Sequence, residues 1–341
     1  MNKRWRNILW VLGILIFLSL IFALGPKVPE PDFSLRWPVV SSELSNLEAN
    51  LHHRESVKAL RPGNEARVIW ADSVRKTKWV ILYLHGFSAS AAEGAPLHQQ
   101  TAERYNYSLY LSRLAGHGYR TDCLKEYSAE AGWESAKRAL AEARLMGDSV
   151  LIMGTSTGCT YALMLAAYFP EKVQALVNLS TNIRIKDPAA FLLNGPWGSK
   201  IAEMIIGPQR YVKPDTALYG QYWDTLYSTQ ALIELQSLLE SQMQEALFAK
   251  VRCPSLSLYY YKNEQEQDQV VSVEKIRWMH EHLSTPPNAK VLKAIPEAGD
   301  HVLASPIKSK APEAVKAEVW RFVEKQLNWQ PAKGRGLQRN V

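Results

Sequence analysis

Cysteine is scarce in this chain, and the cysteines that occur are not paired by spacing. The 341 residues contain only Cys123, Cys159 and Cys253, with no C-x-x-C pair. Three isolated thiols exclude a disulfide framework, and the missing pairs exclude a zinc knuckle or a thioredoxin-type motif. No metal site and no cofactor are expected for this chain.

The chain also lacks an internal repeat, a low-complexity block and a cluster of basic and aromatic residues. Its net charge is +7, but the lysines and arginines are scattered, which argues against a nucleic-acid partner. A mild attraction to anionic membrane surfaces fits this charge better. With 47% apolar and 21% charged residues, the composition is that of a globular protein.

One long hydrophobic run is present near the N-terminus, at 8–25. As a helix it would be roughly 27 Å long, close to the thickness of the hydrocarbon core of a bilayer. A cleaved signal peptide is one interpretation, because Ala23 and Gly25 have the spacing of a cleavage site. An uncleaved signal anchor over 1–25 is favoured, since Pro26 would follow the cut and the run exceeds a usual signal-peptide core.

The charges that flank this run predict how it is oriented. Three basic residues precede it: Lys3, Arg4 and Arg6. Such residues stay in the cytoplasm, so the prediction is a single-pass protein with a cytoplasmic N-terminus. The remainder of the chain would then lie on the periplasmic or extracytoplasmic side.

The remainder divides into a tether and one α/β domain. Residues 26–62 are expected to form the tether, with a short polar helix at 43–53. From 63 to 329, strand-like runs alternate with helical patterns, which predicts a mostly parallel sheet with helices on both faces. The segment from 181 to about 250 breaks this alternation with helices and turns and no clear strand. We expect it to form a helical cap above the carboxyl ends of the strands, and we expect the basic tail at 330–341 to be disordered.

A glycine-flanked serine lies where one of these strands meets a helix. The stretch LIMGTSTGCTYALM places Ser156 between Gly154 and Gly158. G-x-S-x-G alone occurs by chance in roughly one chain in ten of this length, but a strand before it and a helix after it are the setting of a nucleophile elbow. There Ser156 would have a strained backbone, and side chains at 154 and 158 would collide with neighbouring elements. Ser156 is therefore predicted to be a nucleophile.

A serine nucleophile needs a histidine base oriented by an acid, and in this fold class the chain order is serine, acid, histidine. Three histidines follow Ser156. His280 and His282 fall in a predicted helix and are expected at its surface. His301 follows the last strand, at a carboxyl end, and is the predicted base.

The acid should follow the preceding strand, where Glu264, Glu266 and Asp268 are available. Asp268 is the first choice because it stands directly before the apolar QVV, where a fixed loop can orient it. Glu264 is the second choice. Asp300 is the third, because neighbouring side chains in a loop rarely meet well enough for its carboxylate to orient His301.

Two backbone N–H groups are predicted to form the oxyanion hole that acyl transfer requires. One belongs to Thr157, directly after the serine. The other belongs to Phe87, in the loop LYLHGFSAS after an early strand. His85 and Gly86 allow a sharp turn there, and His85 is expected to be structural.

Together, LHGFSAS, LAGHG, GTSTG, DQVVSV and GDHVLASP resemble the α/β-hydrolase superfamily, and more closely its carboxylesterase, monoacylglycerol lipase and serine aminopeptidase branch. The resemblance covers roughly residues 66–327. It implies the same nucleophile, acid, base and oxyanion donors, and a structural role for the G-H-G loop at 116–118. The loop KNEQEQ before Asp268 looks longer than is usual in that family.

The predicted activity is that of a serine esterase acting on lipid-like or short-acyl esters, with the membrane as its other partner. Six cap aromatics either line an acyl pocket or pack the cap onto the core: Phe191, Trp197, Tyr219, Tyr222, Trp223 and Tyr227.

Two other functions are considered. A serine aminopeptidase or amidase would need an acid for the substrate amine, for which the cap offers Asp187, Glu203, Asp215 and Asp224. A non-catalytic, membrane-tethered binding protein on a hydrolase scaffold is disfavoured, because such proteins usually lose a triad member.

Overall fold

The computed structural model describes residues 2–332 and contains nine strands and eleven α-helices in that range. The strands are β1 (Arg67–Ile69), β2 (Thr77–Leu84), β3 (Ser108–Leu111), β4 (Gly147–Thr155), β5 (Ala175–Leu179), β6 (Gln209–Tyr211), β7 (Leu226–Ser228), β8 (Ser255–Tyr259) and β9 (Lys290–Ala294). The helices are α1 (Lys3–Ala23), α2 (Leu47–Ser56), α3 (Leu97–Tyr105), α4 (Ala129–Met146), α5 (Thr157–Tyr168), α6 (Gly198–Ile206), α7 (Ala217–Tyr222), α8 (Thr229–Gln242), α9 (Glu245–Phe248), α10 (Val273–His282) and α11 (Pro312–Leu327).

Seven strands form one sheet in the order β1-β3-β2-β4-β5-β8-β9. Only β1 is antiparallel to its neighbour, and every other pair in this sheet is parallel. The predicted mostly parallel α/β sheet is therefore confirmed. Because β2, β4, β5, β8 and β9 are neighbours, the loops that follow them lie along one edge of the sheet.

Strand β4 shows why the predicted strands read as unbroken apolar runs. Val150 and Ile152 pack into the core on one face of the sheet, whereas Leu151 and Met153 pack into the core on the other. A parallel strand covered by helices on both sides must be apolar at successive positions. This burial fixes where β4 ends, and hence where Ser156 lies.

Residues 26–62, the expected tether, lie along the domain. Lys137 of α4 is fully buried and donates hydrogen bonds to the carbonyls of Ser34 (2.8 Å) and Arg36 (2.9 Å). Leu47 and Leu51 of α2 are buried in the core. The segment thus adds an outer layer to the sheet's helical face.

Helix α1 is long and apolar enough to cross a membrane, a property that signal sequences share. None of its residues is buried against the rest of the protein. At the other end of the chain, residues 333–341, most of the expected tail, lie outside the described residues.

Between β5 and β8 the chain leaves the sheet and forms helices α6 to α9. The expectation of no strand in this segment is wrong, because β6 and β7 pair as a short antiparallel hairpin. Each has only three residues, too few for an alternating pattern to stand out in sequence.

Candidate active site

Ser156 occupies the sharp turn between β4 and α5. Its backbone has φ 54° and ψ −118°, a region that non-glycine residues avoid. A Cβ at Gly158 would lie 2.0 Å from the carbonyl oxygen of Leu84, and one at Gly154 would lie 2.9 Å from the backbone nitrogen of Cys159. Both positions therefore require glycine, and the close approach at Gly158 presses the start of α5 against the end of β2.

Asp268 and His301 meet at the ends of β8 and β9. His301 Nδ1 donates to Asp268 Oδ2 at 2.6 Å. The other carboxylate oxygen of Asp268 accepts hydrogen bonds from the backbone N–H groups of Val270 (2.8 Å) and Val271 (3.0 Å). The Asp268 side chain is wholly buried and that of His301 nearly so. Asp268 is thus fixed by its own loop and fixes the imidazole in turn.

The loop KNEQEQ before Asp268 leaves the acid at the end of β8. Tyr261 and Gln267 form an antiparallel bridge, and the Lys262 N–H donates to the Glu266 carbonyl at 2.8 Å. The extra residues therefore close on themselves as a surface turn. Beyond them the Asp268 N–H donates to the Tyr260 carbonyl at 3.1 Å, which returns the acid to the end of β8.

The surroundings of Asp268 and His301 favour an ionised carboxylate and a protonated imidazole. Burial alone would lower the pKa of His301, but the Asp268 carboxylate, helped by Glu93 and Asp300, raises it above its ordinary value. Burial would also raise the pKa of Asp268, yet His301 and the Val271 and Val270 N–H groups lower it. Asp268 therefore stays ionised and stabilises a proton on the imidazole.

The backbone holds Ser156 and His301 on either side of the end of β5. The Ser156 N–H donates to the Leu179 carbonyl at 2.9 Å, and the hydroxyl of the next residue, Ser180, donates to the His301 carbonyl at 2.7 Å. No hydrogen bond joins the Ser156 hydroxyl to the His301 ring in this structure. Catalytic hydrogen bonds are often loose before substrate binds, so the arrangement is compatible with proton transfer once the site is occupied.

Two backbone donors beside Ser156 have no partner within residues 2–332. They are the N–H groups of Phe87 and Thr157, from the loop after β2 and the first turn of α5. A Cβ at Gly158 would also lie 2.8 Å from the His85 carbonyl oxygen, so these two segments are in direct contact. An oxyanion placed between them can accept from both groups.

His85 holds this loop in place. Its Nε2 accepts from the Leu114 N–H at 3.0 Å, so its proton lies on Nδ1, which donates to the Gly86 carbonyl at 2.9 Å. Burial lowers the pKa of His85 to about 4. The ring is therefore neutral and fully engaged, as a structural role requires.

Similarity to known proteins agrees with this geometry. The model of the alpha/beta hydrolase family matches residues 81–318. The chain belongs to the α/β-hydrolase family. No curated protein sequence matches it significantly.

Solved structures of α/β-hydrolases share this fold at low sequence identity. One, from work on the metagenome-derived lipolytic enzymes LipS and LipT, has 18% identity and a TM-score of 0.63, covering 78% of this chain and 99% of that one. The monoacylglycerol lipase of Paleococcus ferrophilus has 14% identity and a TM-score of 0.54, covering 76% and 97%. Est1E of Butyrivibrio proteoclasticus, with bound ferulic acid, has 16% identity and a TM-score of 0.51, covering 76% and 96%. At such identities the likeness extends to the fold alone.

Glu264 and Asp300, the other acids ranked from sequence, make no hydrogen bond to the imidazole of His301. Glu264 is exposed and accepts from the Tyr261 hydroxyl. Asp300 accepts from the Val302 N–H at 2.9 Å and lies 3.5 Å from Lys308. The expectation that His280 is a surface residue is wrong, because α10 buries this face against β8.

A buried carboxylate that sequence reasoning missed, Glu93, lies beside the serine. Its Oε2 accepts the Gly86 N–H at 2.7 Å. A Cβ at Gly86 would lie 3.0 Å from Glu93 Oε1 and 3.1 Å from Ser156 Cβ, so the carboxylate and the serine flank the same backbone. Burial raises the pKa of Glu93 to about 7. The available signal was a single charge among the small residues of ASAAEGAP.

The cap closes over this edge of the sheet. Trp223 is buried against Ala89, in the loop after β2, and against Val302, directly after His301. Tyr219 stacks on Trp223 with ring centroids 4.9 Å apart, and the ring of Tyr227 meets that of Phe87 edge-on at 5.4 Å. Ser156 is consequently only 6% exposed. Of the six cap aromatics, these three and Tyr222 pack toward the site, whereas Phe191 and Trp197 remain exposed.

Proposed function

We propose that this protein is a membrane-anchored serine hydrolase that cleaves lipid-like or short-acyl carboxylic esters through an acyl-enzyme. The observation that carries the proposal is the short bond between buried Asp268 and His301, at the sheet edge where Ser156 occupies the elbow. Two free backbone donors next to that serine complete the machinery of acyl transfer.

The reaction proceeds in two halves. His301 Nε2 takes the proton of Ser156 as Oγ attacks the ester carbonyl carbon, and the Phe87 and Thr157 N–H groups bind the resulting oxyanion. The tetrahedral intermediate collapses, the bond to the alkoxide breaks, and His301 returns the proton to the departing alcohol. Water then attacks the acyl-enzyme by the same route and releases the carboxylic acid. Asp268 keeps the imidazole in the required tautomer throughout.

The cap favours an ester over an aminopeptidase substrate. An acid in the site would be needed to bind a substrate amine. Of the four cap acids, Asp224 is buried and paired with Arg61 at 2.5 Å, whereas Asp187, Glu203 and Asp215 are exposed at the surface.

The test of the substrate class is a paired assay. We expect the full-length protein in detergent to hydrolyse p-nitrophenyl acyl esters, with kcat/KM at least about 100-fold higher than for aminoacyl p-nitroanilides. A preference for the anilides would show that the protein is an aminopeptidase and not an esterase.

We propose that α1 is an uncleaved anchor. It has 21 residues, about the number needed to span a bilayer, and the residues after it are held by the domain. Their contacts include the Ser34 carbonyl, which accepts from the Trp133 indole at 2.8 Å. Because the basic residues in the first turns of α1 favour a cytoplasmic N-terminus, we propose that the domain lies on the periplasmic or extracytoplasmic side.

The pH dependence of kcat/KM follows from His301. The base must be neutral, so activity is lost as pH falls through its pKa, and that pKa lies above the ordinary 6.5. We expect the acid limb to have its midpoint above about pH 6.5, measured with a p-nitrophenyl ester while circular dichroism monitors folding. A rate that stays constant from pH 8 to pH 5.5 would contradict this assignment.

We further propose that Glu93 is a positioning residue for the loop of the oxyanion hole and for the charge on His301. In E93Q the acceptor for the Gly86 N–H is kept but the charge is lost, so the acid limb should move to lower pH by up to about one unit. In E93A the acceptor is lost as well, and kcat should fall roughly tenfold or more.

The matched control for Glu93 is E103Q, at an exposed position of α3, which should change neither property. An unchanged acid limb in E93Q would show that Glu93 has no electrostatic effect on His301. An unchanged kcat in E93A would show that Glu93 does not position the loop of the oxyanion hole.

A further inference from the structure

Exposed apolar side chains are concentrated on the cap. From residue 26 to residue 332, twelve large apolar side chains are exposed, and seven of them lie between 191 and 226. The other five, Leu35, Val39, Val57, Val74 and Val270, are spread over the rest of that range. Single exposed apolar residues are ordinary, but a contiguous set on one segment marks an interaction surface.

Helix α6 is the centre of this set. It buries Gly198 and Ala202 against the cap and turns Met204 and Ile205 outward, where they are 84% and 72% exposed. Phe191, in the turn before α6, is 61% exposed. A short helix with one buried face and a second apolar face toward solvent has the pattern of an interfacial helix.

The N-terminal helix ends on the same part of the cap. The backbone N–H of Trp197 donates to the Pro26 carbonyl at 2.9 Å, and its indole N–H donates to the Ile21 carbonyl at 3.3 Å. A Cβ at Gly25 would lie 2.0 Å from the indole, so chain and ring are in direct contact. Trp197 immediately precedes α6, which therefore begins where α1 ends.

This junction sets the depth of α6 relative to a bilayer. If α1 spans the hydrocarbon core, its last turn and Trp197 lie at the interface, where tryptophan is preferred. Helix α6 continues from that level with Met204 and Ile205 exposed. The neighbouring exposed basic residues, Lys200, Arg210 and Lys213, are suited to contact the phosphates of the lipid headgroups at that level.

We propose that this cap surface, formed by Phe191, Trp197, Met204 and Ile205, is inserted into the membrane interface beside α1. The same cap covers Ser156 through Trp223, which contacts Ala89 and Val302. The route to the serine therefore begins at the bilayer, and the preferred ester is one dissolved in the membrane. This inference rests on the proposed anchor and esterase.

Depth-dependent quenching tests the placement. The full-length protein is reconstituted into vesicles of phosphatidylcholine and phosphatidylglycerol. A polarity-sensitive fluorophore is attached to M204C, V270C or L15C in a C253S background, because Cys123 and Cys159 are buried. Val270 is the matched control, being apolar and 49% exposed but off the cap.

Spin-labelled lipids should quench the label at position 204 at least about threefold more than the label at position 270, and position 15 should be quenched by deep probes. Equal, weak quenching at 204 and 270 with strong quenching at 15 would overturn the cap placement and leave the anchor intact. Weak quenching at all three positions would overturn both. If the label at position 204 is shielded from water in the absence of lipid and the chains can be cross-linked to one another, a second copy of the chain and not the membrane covers the cap surface.

An activity measurement separates this placement from the chemistry. Combining M204E with I205E should leave hydrolysis of a soluble short-chain p-nitrophenyl ester within about twofold of the parent. Hydrolysis of a long-chain ester carried in vesicles should fall at least about tenfold, since two charges would have to enter the interface. V74E, at an exposed apolar position in the turn between β1 and β2, should change neither rate. Equal rates on the vesicle-borne ester for the double variant and V74E would overturn the proposal, whereas absence of the soluble activity in the parent would overturn the proposed function instead.

Discussion

Replacing Ser156 with alanine should lower kcat/KM for a p-nitrophenyl ester by about 10⁴- to 10⁶-fold, the range expected when a nucleophile that forms a covalent intermediate is removed. The fold should survive, because the positive φ of 54° at this position strains an alanine backbone no more than a serine backbone. The measurement is steady-state kinetics at pH 8, with the melting temperature recorded for each variant.

The control for this change is S128A, a serine-to-alanine replacement at the N-cap of α4. The Ser128 hydroxyl accepts the Ala131 N–H at 3.1 Å, so its loss should reduce stability by about 1 kcal/mol and leave kcat/KM unchanged. If S156A kept more than about 1% of the parent activity, Ser156 would not be the nucleophile.

The second large effect is expected at the acid. D268N should lower kcat by about 10³- to 10⁴-fold with little change in KM, because an asparagine amide can hold His301 in the wrong tautomer. The present contact is a 2.6 Å bond from Nδ1 to a carboxylate oxygen that has no other partner among the described residues. The rate loss should therefore lie in the chemical step.

Asp300 provides the comparison for this acid. It adjoins His301 in sequence, but its carboxylate accepts from Val302 and faces Lys308. D300N should cost less than about tenfold, and E264Q, in the exposed turn, should cost nothing. A larger loss in either variant than in D268N would transfer the orienting role to that residue.

Local patterns predicted much of the framework. Helices α4 and α11 are among the helical patterns that the sequence shows, because their apolar faces recur at helical spacing and their starts carry Ser128 and Pro312. Strands such as β4 are continuous apolar runs because both faces are covered. The loops that bear Ser156, Asp268 and His301 then share one edge by topology alone.

The features that sequence did not predict depend on long-range packing. His280 lies in a helix whose sequence pattern does not indicate whether this residue is buried or exposed. Only the packing of α10 on β8 buries it. Glu93 precedes the elbow by more than 60 residues, and only folding brings it to the Gly86 N–H. The path of the KNEQEQ loop depends on the bridge between Tyr261 and Gln267, by which the turn closes on itself and which the sequence does not show.

The cap illustrates the same limit. Its aromatics gave no indication of which would face the site, since Phe191, Tyr219 and Trp223 lie in or beside short helices with no sustained apolar period. The structure sorts them by contact, with Trp223 over the catalytic loops and Phe191 on the outer surface. The division is consistent with a cap that joins the serine on one side and a lipid surface on the other.

The central claim is that Ser156 attacks a carbonyl or an equivalent electrophile, and covalent labelling tests it most directly. The full-length protein is treated with a fluorophosphonate probe at pH 8, digested and analysed by mass spectrometry. The account predicts one adduct per chain, on the peptide that contains GTSTG and on Ser156 itself, with no labelling of S156A and strongly slowed labelling of D268N. An unlabelled parent protein, or an adduct on another residue that persists in S156A, would contradict it.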